Sequence, residues 1–184
     1  MGELTSSFEY GLNASATEYD GENKYIRITD IDDSSHEFIQ SNLTSPNADL
    51  ASEKSHLLKE GDLLFARTGA SVGKTYHYKV QDVHIYYAGF LIRARIQPEF
   101  DSEFVFQSTL TENYENFIRV TSQRSGQPGV NAQEYASFAL SVPSLSEQQK
   151  IGTFFQQLDH LITLHQRKLE HLKLQEKAIE LELL

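Results

Sequence analysis

The chain has 184 residues, of which 39% are hydrophobic, and it has no cysteine and a formal net charge of −10. This length suits one domain, or one domain with an extension, and the lack of cysteine excludes disulfide frameworks, thiolate zinc sites and thiol nucleophiles. No apolar run is long enough to span a membrane and the start is not a signal peptide, so we expect a soluble, cytoplasmic protein.

Charge is distributed unevenly along the sequence. Acidic residues dominate positions 1–60, whereas basic residues outnumber acidic ones between 61 and 95. The total of −10 argues against a nucleic-acid partner, but the field at a contact surface matters more than the total. An acidic protein with one basic face and a protein with scattered, solvated charge are both compatible with this composition.

Residues 1–143 predict a mixed α+β domain. The strand candidates are "KYIRITDI" (24–31), "GDLLFART" (61–68), "KTYHYKV" (74–80), "VHIYYAGFLIRARI" (83–96) and "FALSVP" (138–143). A helix is predicted over 102–122, because Phe106, Leu110, Tyr114 and Phe117 recur at helical spacing. Two long polar connections, 32–60 and 122–134, are candidates for functional loops.

The stretch "TGASVGKT" (68–75) is close to a phosphate-binding P-loop. A P-loop requires glycine where Thr68 stands, and it must run into a helix, whereas the residues after Thr75 predict strands. We therefore predict a β-hairpin with "GASVG" as its turn. Arg67, Thr68 and Lys74 flank this exposed tip, where they could meet a phosphate backbone.

The stretch "TSQRSGQPGVNAQEY" (121–135) carries polar side chains on a backbone rich in glycine and proline. Arginine suits the guanine edge in the major groove, asparagine and glutamine suit adenine, and hydroxyl groups suit phosphate or base. A loop that reads DNA bases and a plain solvent-exposed turn are both consistent with these residues.

From Ser146 the pattern predicts one long helix, with Ser146 as N-cap and Gln149 completing a capping box. If it is helical over 147–184, it is about 57 Å long. Two interleaved rows at heptad spacing form a coiled-coil seam over four heptads: Phe155, Leu158, Ile162, His165, Leu169, Leu172, Glu176, Ile179 and Leu183. The polar members His165 and Glu176 are too far apart to share a metal ion, so we interpret them as determinants of register or partner choice.

No catalytic or metal-binding motif stands out. The patterns G-x-S-x-G and H-E-x-x-H are absent, and the adjacent Asp32 and Asp33 have the composition of a solvated turn. We therefore predict a non-catalytic binding module without a metal site. The alternatives are a coiled-coil adaptor that binds no DNA and, less favoured, a metal-dependent nuclease.

Four segments, in order, resemble the DNA-specificity (S) subunit of type I restriction–modification systems. They are "GDLLFARTGASVGK", "YAGFLIRARI", "SGQPGVN" and "LSVPSLSEQQKIGTFF", and the most specific element is "VPSLSEQQKIGTFFQQLDHLI". Order and spacing match over essentially the whole chain.

The resemblance implies a target-recognition domain (1–143) followed by a spacer helix (144–184). In this family the spacer helices pair antiparallel, set the distance between the two half-sites of a split duplex DNA target, and dock two modification subunits. Those subunits bind S-adenosylmethionine and methylate adenine at N6. A restriction subunit translocates and cuts DNA, so ATP and Mg²⁺ are expected on partner subunits and no cofactor on this chain.

The sequence departs from the family in having one recognition domain and one spacer helix. We expect a half-length subunit or a fragment, and the start "MGEL" favours a fragment. Two copies pairing antiparallel would form a two-fold dimer that reads a palindromic split target.

Candidate DNA contacts come from side-chain chemistry and not from a family motif, because base-reading residues vary with the target. They are Arg67, Thr68, Lys74, Arg93, Arg119, Ser122, Gln123, Arg124, Gln127 and Asn131. We expect Arg124→Ala to weaken specific binding by about 1–3 kcal/mol and to relax one base position. Removal of Lys74 should lower the salt dependence of binding.

Overall fold

A computed structural model of the chain describes residues 1–80, 84–123 and 126–182. The strands are β1 Thr5–Tyr10, β2 Ala16–Glu18, β3 Lys24–Ile26, β4 Thr44–Pro46, β5 Asp62–Ala66, β6 Thr75–His77, β7 Ile85–Tyr87 and β8 Leu91–Ile96. The α-helices are α1 Ser102–Ser108, α2 Glu112–Thr121, α3 Ala132–Ala136 and α4 Leu145–Glu182. The predicted α+β class, with a long C-terminal helix, is confirmed. No helix in the described part of the chain is long and apolar enough to cross a membrane.

The central sheet has the order β1-β8-β5-β6, and all its neighbouring strands are antiparallel. Strand β5 lies inside it and is buried along its whole length. Its side chains alternate between two hydrophobic cores: Leu63 and Phe65 pack with the helices, whereas Leu64 and Ala66 pack on the opposite face. This alternation is the period of two expected of a strand covered on both faces.

The second face of the central sheet packs against β3, β7 and the connecting residues Ile31, Phe38 and Leu58. Two small two-stranded sheets lie on this side of the fold. Strand β2 pairs with β4, and β3 pairs in parallel with β7. The predicted strand over 24–31 is only half right, because it ends at Ile26 and gives way to a 3-10 turn at Ile28–Asp30. In that turn the Asp30 carboxylate accepts hydrogen bonds from the backbone N–H and the guanidinium of Arg27.

The predicted helix over 102–122 is two helices. Thr111 starts α2 as its N-cap, with its hydroxyl oxygen accepting from the Tyr114 N–H, and so breaks the run. The predicted strand over 138–143 is wrong: this segment forms no strand, although the Phe138 side chain is buried in the core. The short helix α3 was not predicted.

Helix α4 has 38 residues, which corresponds to about 57 Å. Its N-cap is Ser144 and not Ser146, since the Ser144 hydroxyl and backbone N–H both donate to the Glu147 carboxylate. The first turns of α4 pack on α1. The buried Gln148 accepts from the Asp101 N–H and donates to the Pro143 carbonyl oxygen.

Candidate nucleic-acid interface

The hairpin predicted around "GASVG" is confirmed, with β5 and β6 paired and residues 67–74 connecting them. Gly69 and Gly73 have φ of +77° and +89°, a region that favours glycine. Gly73 also lies close to α2, because a Cβ placed there would come within 2.7 Å of the Ile118 side chain. This contact fixes the hairpin tip against the helical layer.

The polar loop and the hairpin tip meet through their backbones. Thr68 forms a β-bridge with Gly129. The Gly69 N–H donates to the Pro128 carbonyl oxygen at 3.0 Å, and the Val130 N–H donates to the Arg67 carbonyl oxygen at 2.9 Å. We call residues 67–73 and 126–131 together the tip–loop surface. The sequence suggested each half separately, and only the structure shows that they are joined.

Polar side chains on the tip–loop surface face solvent. Gln127 is exposed, and its amide nitrogen lies 3.2 Å from where a Cβ on Gly69 would stand. Gln123, which enters the loop from α2, is also exposed. Arg124 lies outside the described residues, so its assignment stays a prediction. Thr68 is partly exposed and is held by the bridge to Gly129.

Arg67 sits on an aromatic support. Its guanidinium carbon lies 4.9 Å from the centre of the Tyr10 ring, a cation–π distance, and its Nη1 donates to the Gly89 carbonyl oxygen at 3.5 Å. The Tyr10 hydroxyl accepts from the Ala132 N–H, the first residue of α3. Arg67 thus contacts neutral groups that orient its cation without neutralising it.

Tyr10 and Phe90 were missed from the sequence, although both are exposed beside Arg67. Ala88-Gly89 interrupts the strand candidate over 83–96, and the chain turns at Gly89 and Phe90 and divides that segment into β7 and β8. This interruption predicts a break between strands, but it does not predict that the Phe90 side chain is exposed beside Arg67.

Two predicted DNA contacts are corrected by burial. The Arg93 side chain is only 2% exposed and binds the Glu9 carboxylate and the Ser55 carbonyl oxygen. The Lys74 side chain is 11% exposed and bridges Asp33 and the Ile31 carbonyl oxygen. Both cations are bound to groups of the protein itself, so we remove them from the contact set.

Two other predicted contacts have structural roles. Ser122 is buried at the C-cap of α2. Asn131 is the N-cap of α3: its side-chain oxygen accepts from the Glu134 N–H, and the Glu134 carboxylate accepts from the Asn131 N–H. Arg119 remains accessible in the last turn of α2, and its guanidinium donates to the Asn116 side-chain oxygen at 2.8 Å.

The predicted coiled-coil seam is exposed along α4. Its described members are Phe155, Leu158, Ile162, His165, Leu169, Leu172 and Ile179, and its apolar ones are 37–58% exposed. His165 Nδ1 lies 2.7 Å from the Leu161 carbonyl oxygen of the same helix, and Glu176 is exposed as well. Leu183 lies outside the described residues. An apolar stripe of this length on a single helix is an unmet packing surface.

Residues 1–80, 84–123 and 126–182 contain no group of three or more His, Asp or Glu side chains placed to hold a metal ion. His77 forms a smaller polar cluster with α1, in which its ring nitrogens lie 3.0 Å from Glu103 Oε2 and from Ser102 Oγ. This cluster ties β6 to α1 within the fold.

The family model of the type I restriction modification DNA specificity domain matches residues 11–174. The chain belongs to this family. The match includes the tip–loop surface and most of α4. No curated protein is similar enough to be matched.

Solved structures of this family have the same fold. The chain is 16% identical to the type I restriction–modification S subunit from M. genitalium, with a TM-score of 0.63 over 94% of this chain. It is 14% identical to the HsdS subunit from Thermoanaerobacter tengcongensis, with a TM-score of 0.61 over 90% of this chain. It is 13% identical to a chain from a structural study of complex assembly and conformational transition in the type I R-M system, with a TM-score of 0.59 over 90% of this chain. This chain spans only 38–41% of the length of those proteins.

Proposed function

We propose that this chain reads one half of a split duplex DNA target for a type I restriction–modification complex. Residues 1–143 form the recognition domain, and residues 144–184 form the spacer. The observation that carries the proposal is the union of hairpin tip and polar loop by the Thr68–Gly129 bridge. It gathers side chains suited to base edges on one rigid surface, and these groups lie far apart in the sequence.

The charge of the tip–loop surface differs from that of the chain as a whole. Asp33, Glu9 and Asp62 form ion pairs with Lys74, Arg93 and Arg95, respectively. Arg67, in contrast, contacts a ring and a carbonyl oxygen. A local cation on this surface supports DNA contact despite the net charge of −10, because close charges dominate at a contact.

The roles of the remaining polar residues follow from their exposure. Arg67 and Gln127 contact base edges, and Arg119 neutralises phosphate at the rim. Gln123 is a further base contact, and Arg124, which lies outside the described residues, is proposed as a base contact on its side-chain chemistry alone. Thr68 positions the tip, and Asn131 holds α3 next to it.

The spacer role rests on the exposed seam of α4. A helix of about 57 Å with an uncovered apolar stripe requires a second helix. We propose antiparallel pairing with a second copy or with a second half of the same subunit, and docking of modification subunits on this helix. S-adenosylmethionine, ATP and Mg²⁺ would bind to partner subunits, and this chain would perform no catalysis.

Selection from a random duplex library tests the proposal. The chain is incubated with its modification subunits at low salt, and bound duplexes are sequenced; we expect one enriched half-site. Arg67→Ala and Gln127→Ala should each relax one base position, which corresponds to about 1–3 kcal/mol. The matched control is Lys59→Ala, an exposed cation before β5, at the end of that strand opposite the tip.

Absence of any enriched sequence, together with retained assembly through α4, would favour the coiled-coil adaptor that binds no DNA. Cleavage of plasmid by the isolated chain with Mg²⁺ or Mn²⁺ would favour the nuclease. Either result would contradict the proposed function.

A further inference from the structure

The turn between β7 and β8 carries an exposed aromatic ring at its apex. Phe90 is 64% exposed, the highest exposed fraction among the described large aromatic side chains. The turn is closed by the Leu91 N–H, which donates to the Ala88 carbonyl oxygen at 2.8 Å. A lone exposed phenylalanine is ordinary on protein surfaces, so its surroundings must decide whether it has a role.

The backbone around Phe90 is held from two sides. The Gly89 N–H donates to the Leu12 carbonyl oxygen at 2.9 Å, and the Gly11 N–H donates to the Leu91 carbonyl oxygen at 3.0 Å. A Cβ on Gly11 would stand 2.1 Å from the Ala88 carbonyl oxygen, so only glycine permits this approach. The turn is therefore rigid, and binding through Phe90 would require little additional ordering of the backbone.

The same turn supports Arg67. The Phe90 carbonyl oxygen accepts from the Arg67 N–H at 3.0 Å, and the Gly89 carbonyl oxygen accepts from its guanidinium. Tyr10, which is 44% exposed, lies under that guanidinium. Phe90 is thus next to the tip–loop surface, and its backbone is hydrogen-bonded to Arg67, the residue that contributes the cation of that surface.

We propose that Phe90 is a specificity-determining residue whose ring contacts the C5-methyl group of a thymine, next to the base that Arg67 contacts. This inference rests on the proposed function. Arginine and glutamine read base edges in the major groove, and the thymine methyl group projects into that groove. An apolar ring is the complementary partner for that methyl group, which offers no hydrogen bond.

The experiment compares thymine with uracil, because deoxyuridine lacks only the methyl group and keeps the pairing edge. Library selection with the native chain and its modification subunits first gives the half-site. Duplexes with each thymine replaced singly by deoxyuridine are then titrated. At one of the replaced thymines we expect the affinity for the duplex to fall about fourfold relative to the unmodified duplex. This factor corresponds to the burial of one methyl-sized group.

Two variants and one control connect that loss to Phe90. Phe90→Ala should bind the thymine and uracil duplexes equally, and its selected motif should lose the thymine preference at that position. Phe90→Leu keeps an apolar side chain and should retain part of the discrimination. Val80→Ala, which removes a side chain that is 60% exposed at the end of the hairpin opposite the tip, should discriminate like the native chain.

Several results would overturn this inference while the proposed function stands. They are a half-site without thymine, equal binding of all uracil duplexes by the native chain, and an unchanged motif for Phe90→Ala. Failure of the native chain to enrich any sequence would instead overturn the proposed function, and with it the inference. Thermal unfolding of Phe90→Ala verifies that the variant is folded.

Discussion

The Gln107 side-chain amide donates a hydrogen bond to the Asp159 carboxylate at 2.8 Å, and this bond connects α1 with α4. The same amide nitrogen lies 3.0 Å from the Glu103 carboxylate, which in turn contacts His77 on β6. A continuous polar chain therefore connects the strand that leaves the hairpin tip with the long helix. It holds the first half of α4 against α1.

Replacement of Gly152 should disturb the docking of α4. A Cβ at this position would stand 2.7 Å from Asp101 Oδ1 and 3.1 Å from the Phe104 backbone nitrogen. We expect Gly152→Val to lower the free energy of unfolding by about 1–3 kcal/mol, the usual cost of overpacking. Chemical unfolding measures this change. Gly126→Val is the matched control, because no atom lies within 4 Å of a Cβ there, and an equal loss in both variants would contradict the packing argument.

Glu103 should make stability depend on pH. Burial raises the pKa of its carboxyl group, but hydrogen bonds from His77 and Gln107 outweigh this effect, so the pKa lies below the ordinary value for glutamate. A lowered native pKa adds stability that is present above the unfolded pKa and is lost as pH falls through the native value. We expect the free energy of unfolding to decrease below about pH 4.5.

The same titration of Glu103→Gln should have a shallower acid limb, because one carboxylate no longer takes up a proton on unfolding. Glu99→Gln removes an exposed carboxylate and serves as control. If Glu103→Gln and the native chain lost stability in parallel between about pH 3 and 5, the role assigned to Glu103 would be wrong.

Two arginines should separate stability from DNA binding. Arg93→Ala removes hydrogen bonds to Glu9 and to the Ser55 carbonyl oxygen from a buried site, and we expect a loss of about 3 kcal/mol in unfolding free energy. Arg67→Ala should change stability by less than about 1 kcal/mol, since its cation–π contact is partly exposed, but it should weaken DNA binding. A destabilised Arg67→Ala chain with unaltered DNA affinity would reverse this assignment.

Asn131 should affect stability through its cap. Asn131→Ala removes the acceptor for the Glu134 N–H, and we expect a loss of about 1 kcal/mol. Asn131→Asp retains a side-chain acceptor and should preserve the unfolding free energy. Equal destabilisation by Ala and Asp would show that the amide group, and not the cap, is what matters.

The fold class and the long helix could be predicted because their signals are local. The 3.5-residue repeat after Phe155 and the strand–glycine–strand pattern around Gly69 are both short-range. The helix ends at Thr111, Ser144 and Asn131 depend on which of several neighbouring polar side chains forms the capping hydrogen bond. The sequence does not decide between these side chains, so the predicted helix boundaries there differ from the observed ones.

The candidate site was harder to predict because burial is a property of the whole fold. Arg93 and Arg67 are both arginines in predicted strand segments, and the sequence does not distinguish them. In the fold, Arg93 is buried and binds Glu9, whereas Arg67 lies over Tyr10 near the surface. The Thr68–Gly129 bridge joins residues that are far apart in the sequence, so no local sequence pattern predicts it. The interruption at Ala88-Gly89 indicates a break between two strands, but the exposure of the Phe90 side chain depends on how the rest of the chain packs around that turn.

Sequencing of adenine methylation in cells that carry the intact system tests the central claim most directly. With Gln127→Ala, we predict that each half-site read by this chain becomes degenerate at a single position: one half of the methylated motif if the chain pairs with a different second half, and both halves if two copies pair. The other bases and the gap between half-sites should stay unchanged. An unchanged motif, or an altered gap with an unchanged half-site, would contradict the account that the tip–loop surface reads the bases.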